Sequence, residues 1–361
     1  MKTRYALSLG KPFGIKVKVH WTFLLLIAWI VIVSMSRGLE TPQILMHIVF
    51  VLALFVCVVL HELGHSLTAI KFGGNVTGIT LLPIGGMAHM TKMPEEPKEE
   101  FLVSAAGPLV NIVIAILIWI YLAVFQPVNI QEMEFVAITR ENFLVMLMAA
   151  NIFIVVFNLI PAFPMDGGRL FRAALSIKMS RVQATRVAKD IGQVFAIFFI
   201  IAGLFVNPFL VIIGIFILLG AKGEYEMIQY QDALRQFAVE DVLNKDYAEL
   251  DAEDTLGKAA EELVHISDNG FVVKSDGKYQ GILTKNDIIN GLNQLGREGK
   301  VKEAMSSDIE PVKTDAKLFE VFQDMNKKRN ELVPVISKDE LKGILDMDNL
   351  KELIMIHKAI R

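Results

Sequence analysis

Residues 44–70 read ILMHIVFVLALFVCVVLHELGHSLTAI. Roughly 20 apolar residues in helical conformation cross the hydrocarbon core of a bilayer, so this run predicts a membrane span. Near its end, His61-Glu62-Leu63-Gly64-His65 sets two histidines and a glutamate into that helix. Side chains four apart on a helix differ by about 40° in azimuth, so His61 and His65 share a face and can offer ring nitrogens to one cation. Glu62 stands one residue on, within reach of a water on that cation. The chemistry implied is a zinc hydrolase, in which the ion brings the pKa of water to about 7 and Glu62 takes the proton. A five-residue pattern with three fixed positions also arises by accident in soluble proteins. Accident is the weaker account here, because ionisable residues in a membrane helix are expensive to insert and are retained for function. His47 lies about 21 Å up the same helix, too far to share the ion.

Two histidines leave a tetrahedral ion short of a third protein ligand. The single Cys57 excludes a cysteine cage and a disulfide framework alike. The best candidate is Asp166, the only acidic residue between Glu141 and Asp190, within Asn158-Leu-Ile-Pro161-Ala-Phe-Pro164-Met-Asp166-Gly167-Gly168-Arg169. Two prolines and two glycines break the helix where the carboxylate lies, and broken backbone at membrane depth is tolerated where it lines a cavity.

Working outward, further apolar runs occupy about 19–35, 102–125 and 143–160, and 191–221 is apolar except for Asn207-Pro208, which reads as a turn between two short spans. Six spans are expected. With the N-terminus inside, segments 1–18, 71–100 and 161–190 carry 5, 3 and 6 Lys+Arg, whereas the outside loops carry only Arg37 and Arg140. The positive-inside rule then makes the N-terminus and the C-terminal body cytoplasmic. Lys2, Arg4, Lys11, Lys16 and Lys18 precede the first span, and Ser34-Met35-Ser36-Arg37 after it offers no small-x-small cleavage pattern, so a retained anchor is expected rather than a signal peptide. The run Glu95–Glu100 reads as a solvated turn, and His20 beside Trp21 as an interfacial pair. His89 has no role readable from sequence. Val76–Leu82 is β-prone and flanked by Gly73-Gly74 and Gly85-Gly86, so 73–92 is expected to form a re-entrant hairpin whose edge pairs with an unwound substrate.

Composition divides the 361-residue chain into two bodies. It is 53% hydrophobic with a mean hydropathy of +0.47, too apolar for an ordinary soluble domain. Residues 1–221 carry 16 Lys+Arg against 11 Asp+Glu, and residues 222–361 carry 20 against 28. The expected boundaries are 1–221, a polar helical connector 222–238, and 239–361. That last body contains a repeat: a gapless offset of 62 residues puts Val239 on Val301, Leu256 on Leu318, Val273 on Val335 and Gly281-Ile282-Leu283 on Gly343-Ile344-Leu345. Copies 239–300 and 301–361 each read as an α+β unit, too small to bury its own core, so the pair should form one globule.

HELGH with a distant N-x-x-P-x-x-P-x-D-G-G, together with Ala106-Gly107-Pro108-Leu109-Val110-Asn111 and the Gly-rich 73–90, resembles the site-2 protease family of intramembrane metalloproteases over about 1–221. The resemblance implies one zinc per chain on His61, His65 and Asp166, with Glu62 as general base. For Asn158 it implies contact with the substrate backbone or oxyanion. The expected substrate is a membrane protein cut within a transmembrane helix, near the cytoplasmic side. No PDZ-like insertion interrupts the region. The repeat, through Asp241-Val242-Leu243, Asp254-Thr255-Leu256 and Gly281-Ile282-Leu283-Thr284-Lys285-Asn286-Asp287, resembles tandem CBS domains. That implies an adenine nucleotide near Thr284 and Asp287, and self-association through the pair as a further expectation. The second copy departs, with Asp346 and Asn349 at the equivalent positions. A pair that only packs or dimerises is the plain alternative. The expected fold is thus an all-α polytopic membrane domain with a re-entrant β-hairpin, followed by an α+β CBS module. A CBS-gated channel or transporter is the rival reading, but a conduction path has no need of HELGH with Asp166. No nucleic-acid partner is expected.

Overall fold

The computed structural model describes residues 6–83, 85–92, 94–125, 138–265, 269–338 and 340–360. Lys2 and Arg4 of the basic N-terminal segment, and most of the expected external loop before Arg140, lie outside the described residues. The chain divides into two compact units, Met1–Tyr225 and Glu226–Arg361.

Among the described residues of the first unit, three helices are long and apolar enough to cross a membrane: α2 (Thr41–Lys71), α3 (Pro97–Phe125) and α6 (Arg181–Phe205). Two shorter apolar helices, α1 (Phe23–Ser36) and α4 (Phe143–Asn158), accompany them. A short helix, α5 (Asp166–Leu175), follows α4, and α7 (Phe209–Arg235) follows α6 after a turn at Asn207-Pro208. That turn is where the sequence places it: Phe209 N–H donates to Asn207 Oδ1 at 3.0 Å.

The expected hairpin is present as β3 (Asn75–Leu82) against β4 (Gly85–Lys92), but it does not stand alone. The basic segment before the expected first span, with the start of that span, supplies two more strands, β1 (Ala6–Gly10) and β2 (Val17–His20), giving a sheet of order β1-β2-β3-β4 with β2 and β3 parallel. The all-α expectation for this unit is corrected accordingly. The alternation Lys16-Val17-Lys18-Val19, with Val17 buried, carries the strand signal that the lysines obscure. Ile15, Ile79 and Leu63 form the small core under this sheet, so the sheet rests on the α2 turn that bears HELGH. β4 is an edge strand. Gly73, at φ +77°, ends α2 and lets the chain turn back into β3.

The second unit repeats itself as the sequence requires. Its first copy comprises β5 (Glu249–Asp251), α8 (Leu256–Leu263), β6 (Gly270–Ser275), β7 (Lys278–Thr284) and α9 (Lys285–Leu295). A four-residue turn of helix, α10 (Val301–Ala304), opens the second, followed by β8 (Val312–Lys313), α11 (Leu318–Lys328), β9 (Leu332–Ser337), β10 (Glu340–Asp346) and α12 (Met347–Ile360). Val273 pairs with Gly281 and Val335 with Gly343, the same register at the offset of 62. Each copy completes the other's sheet: Asn244 exchanges backbone hydrogen bonds with Ile344, and Ser306 with Ile282. Val272 and Ile282 of one copy pack on Leu332 and Ile344 of the other, so the shared core joins the copies into one globule.

Candidate metal centre

Three side chains from two helices converge in the first unit. His61 and His65, on the buried face of α2, are 6% and 7% exposed. Their Nε2 atoms lie 3.1 Å apart. Asp166, the first residue of α5, brings Oδ2 to 3.1 Å from His65 Nε2 and 3.2 Å from His61 Nε2. Among the described residues this is the one group of three or more His, Cys, Asp or Glu able to hold a metal ion. Ligands at about 2.0–2.1 Å from a tetrahedral zinc stand about 3.3 Å from each other, and the three distances match that spacing.

The hydrogen bonds on the far side of each ring suit the same ion. His65 Nδ1–H donates to the backbone oxygen of Val103 at 2.7 Å, and a carbonyl only accepts, so the neutral imidazole keeps its lone pair on Nε2. His61 Nδ1 lies 2.6 Å from Asn111 Oδ1. Lone pairs of two imidazoles and a carboxylate so close together repel unless a cation stands among them, which is the fit expected of a zinc site. The third wall is bare backbone. A Cβ on Gly107 would lie 2.2 Å from His65 Nε2 and 2.7 Å from His61 Nε2, in the space the cation requires. Gly107 and Asn111 both belong to the motif Ala106–Asn111, whose local reason is now visible: Gly107 leaves room and Asn111 reaches His61. Pro108 inside α3 has no N–H to give to Ser104 and disturbs the turn before it. Val103 O, in that turn, is the carbonyl that meets His65.

Asp166 is held by what surrounds α5. Cβ atoms on Gly167 and Gly168 would come within 2.3 Å of Ile160 O and 2.6 Å of the Ala162 carbonyl carbon, so the Asp-Gly-Gly turn packs on bare backbone. One turn and a half further on, Arg172 is 1% exposed. It pairs with Glu100 of α3, lies 2.8 Å from Glu224 of α7, and stacks over Phe163 at 5.1 Å. Glu100 is itself 1% exposed. The reading of Glu95–Glu100 as a solvated turn is therefore corrected at Glu100: it sits in the first turn of α3, and the helix rotates it inward onto Arg172.

The other sequence candidates fall elsewhere. Glu62 is half-buried beside His61, and a Cβ on Gly86 of β4 would lie 2.5 Å from Glu62 Cγ, so the edge strand begins against this carboxylate. Asn158 ends α4 and is half-buried. His20 ends β2, with Nδ1 2.8 Å from Thr22 Oγ1, and His89 Nε2 lies 2.9 Å from Thr80 Oγ1; neither belongs to the three-residue group. In the second unit Thr284 and Asp287 form the capping box of α9: Thr284 Oγ1–H donates to Asp287 Oδ2 at 2.7 Å, and Asp287 N–H to Thr284 Oγ1 at 3.2 Å. In the second copy Asp346, 2% exposed, is engaged with the first: it accepts from Asn269 N–H and Nδ2–H, both at 3.0 Å.

Three side chains able to hold a cation, two of them beside a glutamate on a helix long and apolar enough to cross a bilayer, point to the class of intramembrane metallopeptidases. Comparison with known proteins places the chain within it. Residues 49–202 match peptidase family M50, and residues 239–293 and 301–356 each match the CBS domain. The chain is 31% identical over 353 residues to the zinc metalloprotease MJ0392 of Methanocaldococcus jannaschii, covering 98% of this chain and 97% of that protein. It is 27% identical to the putative zinc metalloprotease sll0528 of Synechocystis, covering 98% and 96% respectively. Among solved structures it is similar to the site-2 protease from Methanocaldococcus jannaschii, at 37% identity and a TM-score of 0.45, covering 61% of this chain and 95% of that one. The chain belongs to peptidase family M50, the site-2 proteases, which are integral-membrane zinc metalloproteases, and carries a tandem CBS pair.

Proposed function

We propose that His61, His65 and Asp166 hold one zinc ion and that Glu62 is the general base of an endopeptidase that cuts a transmembrane segment of a membrane-anchored protein. The observation that carries this reading is the convergence of the three donor atoms within 3.2 Å beside Glu62. When bound, zinc supplies a Lewis acid that polarises the scissile carbonyl and acidifies water. Glu62 then accepts the proton of the attacking water and returns it to the leaving amine. The substrate must first unwind, since a peptide bond in a helix is closed in its own hydrogen-bond ladder. The free edge of β4 runs past Glu62 through Gly86, which supports pairing of the extended substrate with β4 by strand addition. Asn158 is assigned to the substrate backbone or the oxyanion. In this reading 1–221 crosses the membrane six times with the 73–92 hairpin re-entrant, and the N-terminus, connector 222–238 and CBS pair 239–361 are cytoplasmic.

The CBS pair regulates the protease through an adenine nucleotide at Thr284 and Asp287 of the first copy. The second copy offers no equivalent, because Asp346 is committed to Asn269. The test uses the purified full chain and a single-span reporter. Glu62→Gln should keep about one zinc per chain and lose cleavage by about 10²–10⁴-fold, whereas Asp166→Ala should weaken zinc binding. Millimolar adenine nucleotide should change the rate, and Asp287→Ala should remove that change with zinc intact. Full cleavage by Glu62→Gln, or unchanged zinc after replacement of both histidines, overturns the active-site assignment; nucleotide-independent rates and no nucleotide binding leave the pair as a packing module.

A further inference from the structure

Two asparagines, Asn111 on α3 and Asn151 on α4, are fully buried in apolar helices. A buried amide in such a setting is unfavourable unless its donors and acceptor are engaged. Both are engaged, and the chain of bonds has one end whose polarity is fixed. Leu147 O is a backbone carbonyl and can only accept. Asn151 Nδ2 donates to it at 2.8 Å and lies 3.5 Å from Cys57 Sγ. Asn151 Oδ1 is thereby turned towards Asn111, whose Nδ2 donates to it at 2.7 Å. Asn111 Oδ1 in turn faces His61 Nδ1 at 2.6 Å, an acceptor that the imidazole satisfies by carrying its proton on Nδ1. Nε2 then keeps its lone pair and points at Asp166 and His65. A flipped Asn111 would set its oxygen against Asn151 Oδ1, and a flipped Asn151 would set its oxygen against Leu147 O. Each flip opposes two acceptors, so the polarity runs one way.

We propose that Asn151 is a positioning residue for the zinc centre: through Asn111 it fixes the tautomer and ring orientation of His61, so a carbonyl on α4 sets the ligand state of a histidine on α2. His65 reaches the same state in one step, from Val103 O. The inference rests on His61 being a zinc ligand. With the relay broken, Asn111 is free to donate to His61 Nδ1, which moves the proton to Nε2 and removes a ligand.

The experiment measures zinc affinity by chelator competition on the purified full chain, together with the visible absorption of the cobalt-substituted protein, which reports the ligand field. Outer partners of metal-bound histidines are worth about 10–100-fold in affinity. Asn151→Leu should weaken zinc by about tenfold and alter the cobalt bands, and Asn111→Leu should do at least as much. Asn151→Asp, as the protonated acid that this apolar setting favours, keeps a donor for Leu147 O and an oxygen acceptor for Asn111 Nδ2, and should keep affinity and spectrum close to wild type. If Asn151→Leu does not purify as a folded protein, Asn151→Asp decides: a tenfold loss there overturns the relay, and wild-type behaviour supports it. A folded Asn151→Leu with wild-type affinity and spectrum overturns the relay and leaves the zinc site standing. A wild-type chain that takes up no zinc overturns the site itself.

Discussion

Replacing Gly107 with alanine adds one methyl group at the most sensitive point of the site. On helix propensity alone the change favours α3 by about 1 kcal/mol. The geometry opposes it. The new Cβ would lie 2.2 Å from His65 Nε2, 2.6 Å from His65 Cε1 and 2.7 Å from His61 Nε2, against an optimal separation of about 3.5 Å. Relief requires α3 to retreat from α2 by about 1 Å, the difference between the observed and optimal separations. The same helix supplies Val103 O to His65 at 2.7 Å and Asn111 Oδ1 to His61 at 2.6 Å, and a retreat of that size breaks both bonds. Either the methyl occupies the cation's place or both histidines lose their outer partners, each worth about 10–100-fold in metal affinity. Gly107→Ala should therefore bind zinc at least about 100-fold more weakly while keeping wild-type helicity. Metal content after purification at fixed free zinc, beside circular dichroism, is the assay. A stoichiometric zinc content in the alanine protein would refute the placement of α3 at the site.

Three further substitutions probe the support of α5 and the second unit. Arg172→Met leaves Glu100 buried with only Arg181, 3.6 Å away, to face it, and should destabilise the first unit by about 3 kcal/mol, whereas adding Glu100→Gln should recover part of that loss; thermal melts of the single and double variants, with no recovery in the double, would argue against the pairing. Tyr279 has a buried hydroxyl without a hydrogen-bond partner among the described residues, and burial pushes its pKa up to about 12. Because the folded value lies above the unfolded one, its stabilising contribution is whole below pH 10, the ordinary tyrosine value, and is lost as the pH rises towards 12. Tyr279→Phe should be neutral or stabilising at pH 7 and should flatten the alkaline fall in stability; a loss of more than about 1 kcal/mol at pH 7 would show that the hydroxyl has a partner.

Much of the fold lies in patterns of one dimension. The positions of the apolar helices follow from apolar run length, and the turn between α6 and α7 is marked by Asn207-Pro208. The offset of 62 carries the second unit, since register, shared core and mutual sheet completion all repeat at it. The strands β1 and β2 escape such patterns because each is short, and because Lys16 before β2 and Lys18 within it also mark a membrane flank. Glu100 escapes because a charged run looks the same whether each of its members faces water or one of them faces an arginine on a distant helix. The parallel strand β5 is three residues long, below the length at which alternation is visible.

The metal centre shows where legibility stops. The residues proposed as ligands stand out because ionisable residues are rare in long apolar helices. Their support does not, yet it is written in the same spacing. Cys57, His61 and His65 lie four apart on α2; Val103, Gly107 and Asn111 lie four apart on α3; Leu147, Asn151 and Val155 lie four apart on α4, and every one is buried. Four-apart rows are the ridges by which helices interdigitate, and these three rows meet. Each row taken alone reads as an ordinary buried face with one or two polar members. What makes them a site is the rotation of three helices about their own axes, which brings Asn151 to Asn111 and Asn111 to His61. That rotation is set by volumes across the interfaces, by Gly64 against Ala106 O as much as by Gly107 against the histidines. The small residues of HELGH and of Ala106–Asn111 are therefore part of the chemistry: they set the approach of α2 and α3 on which the orientation of both histidines depends.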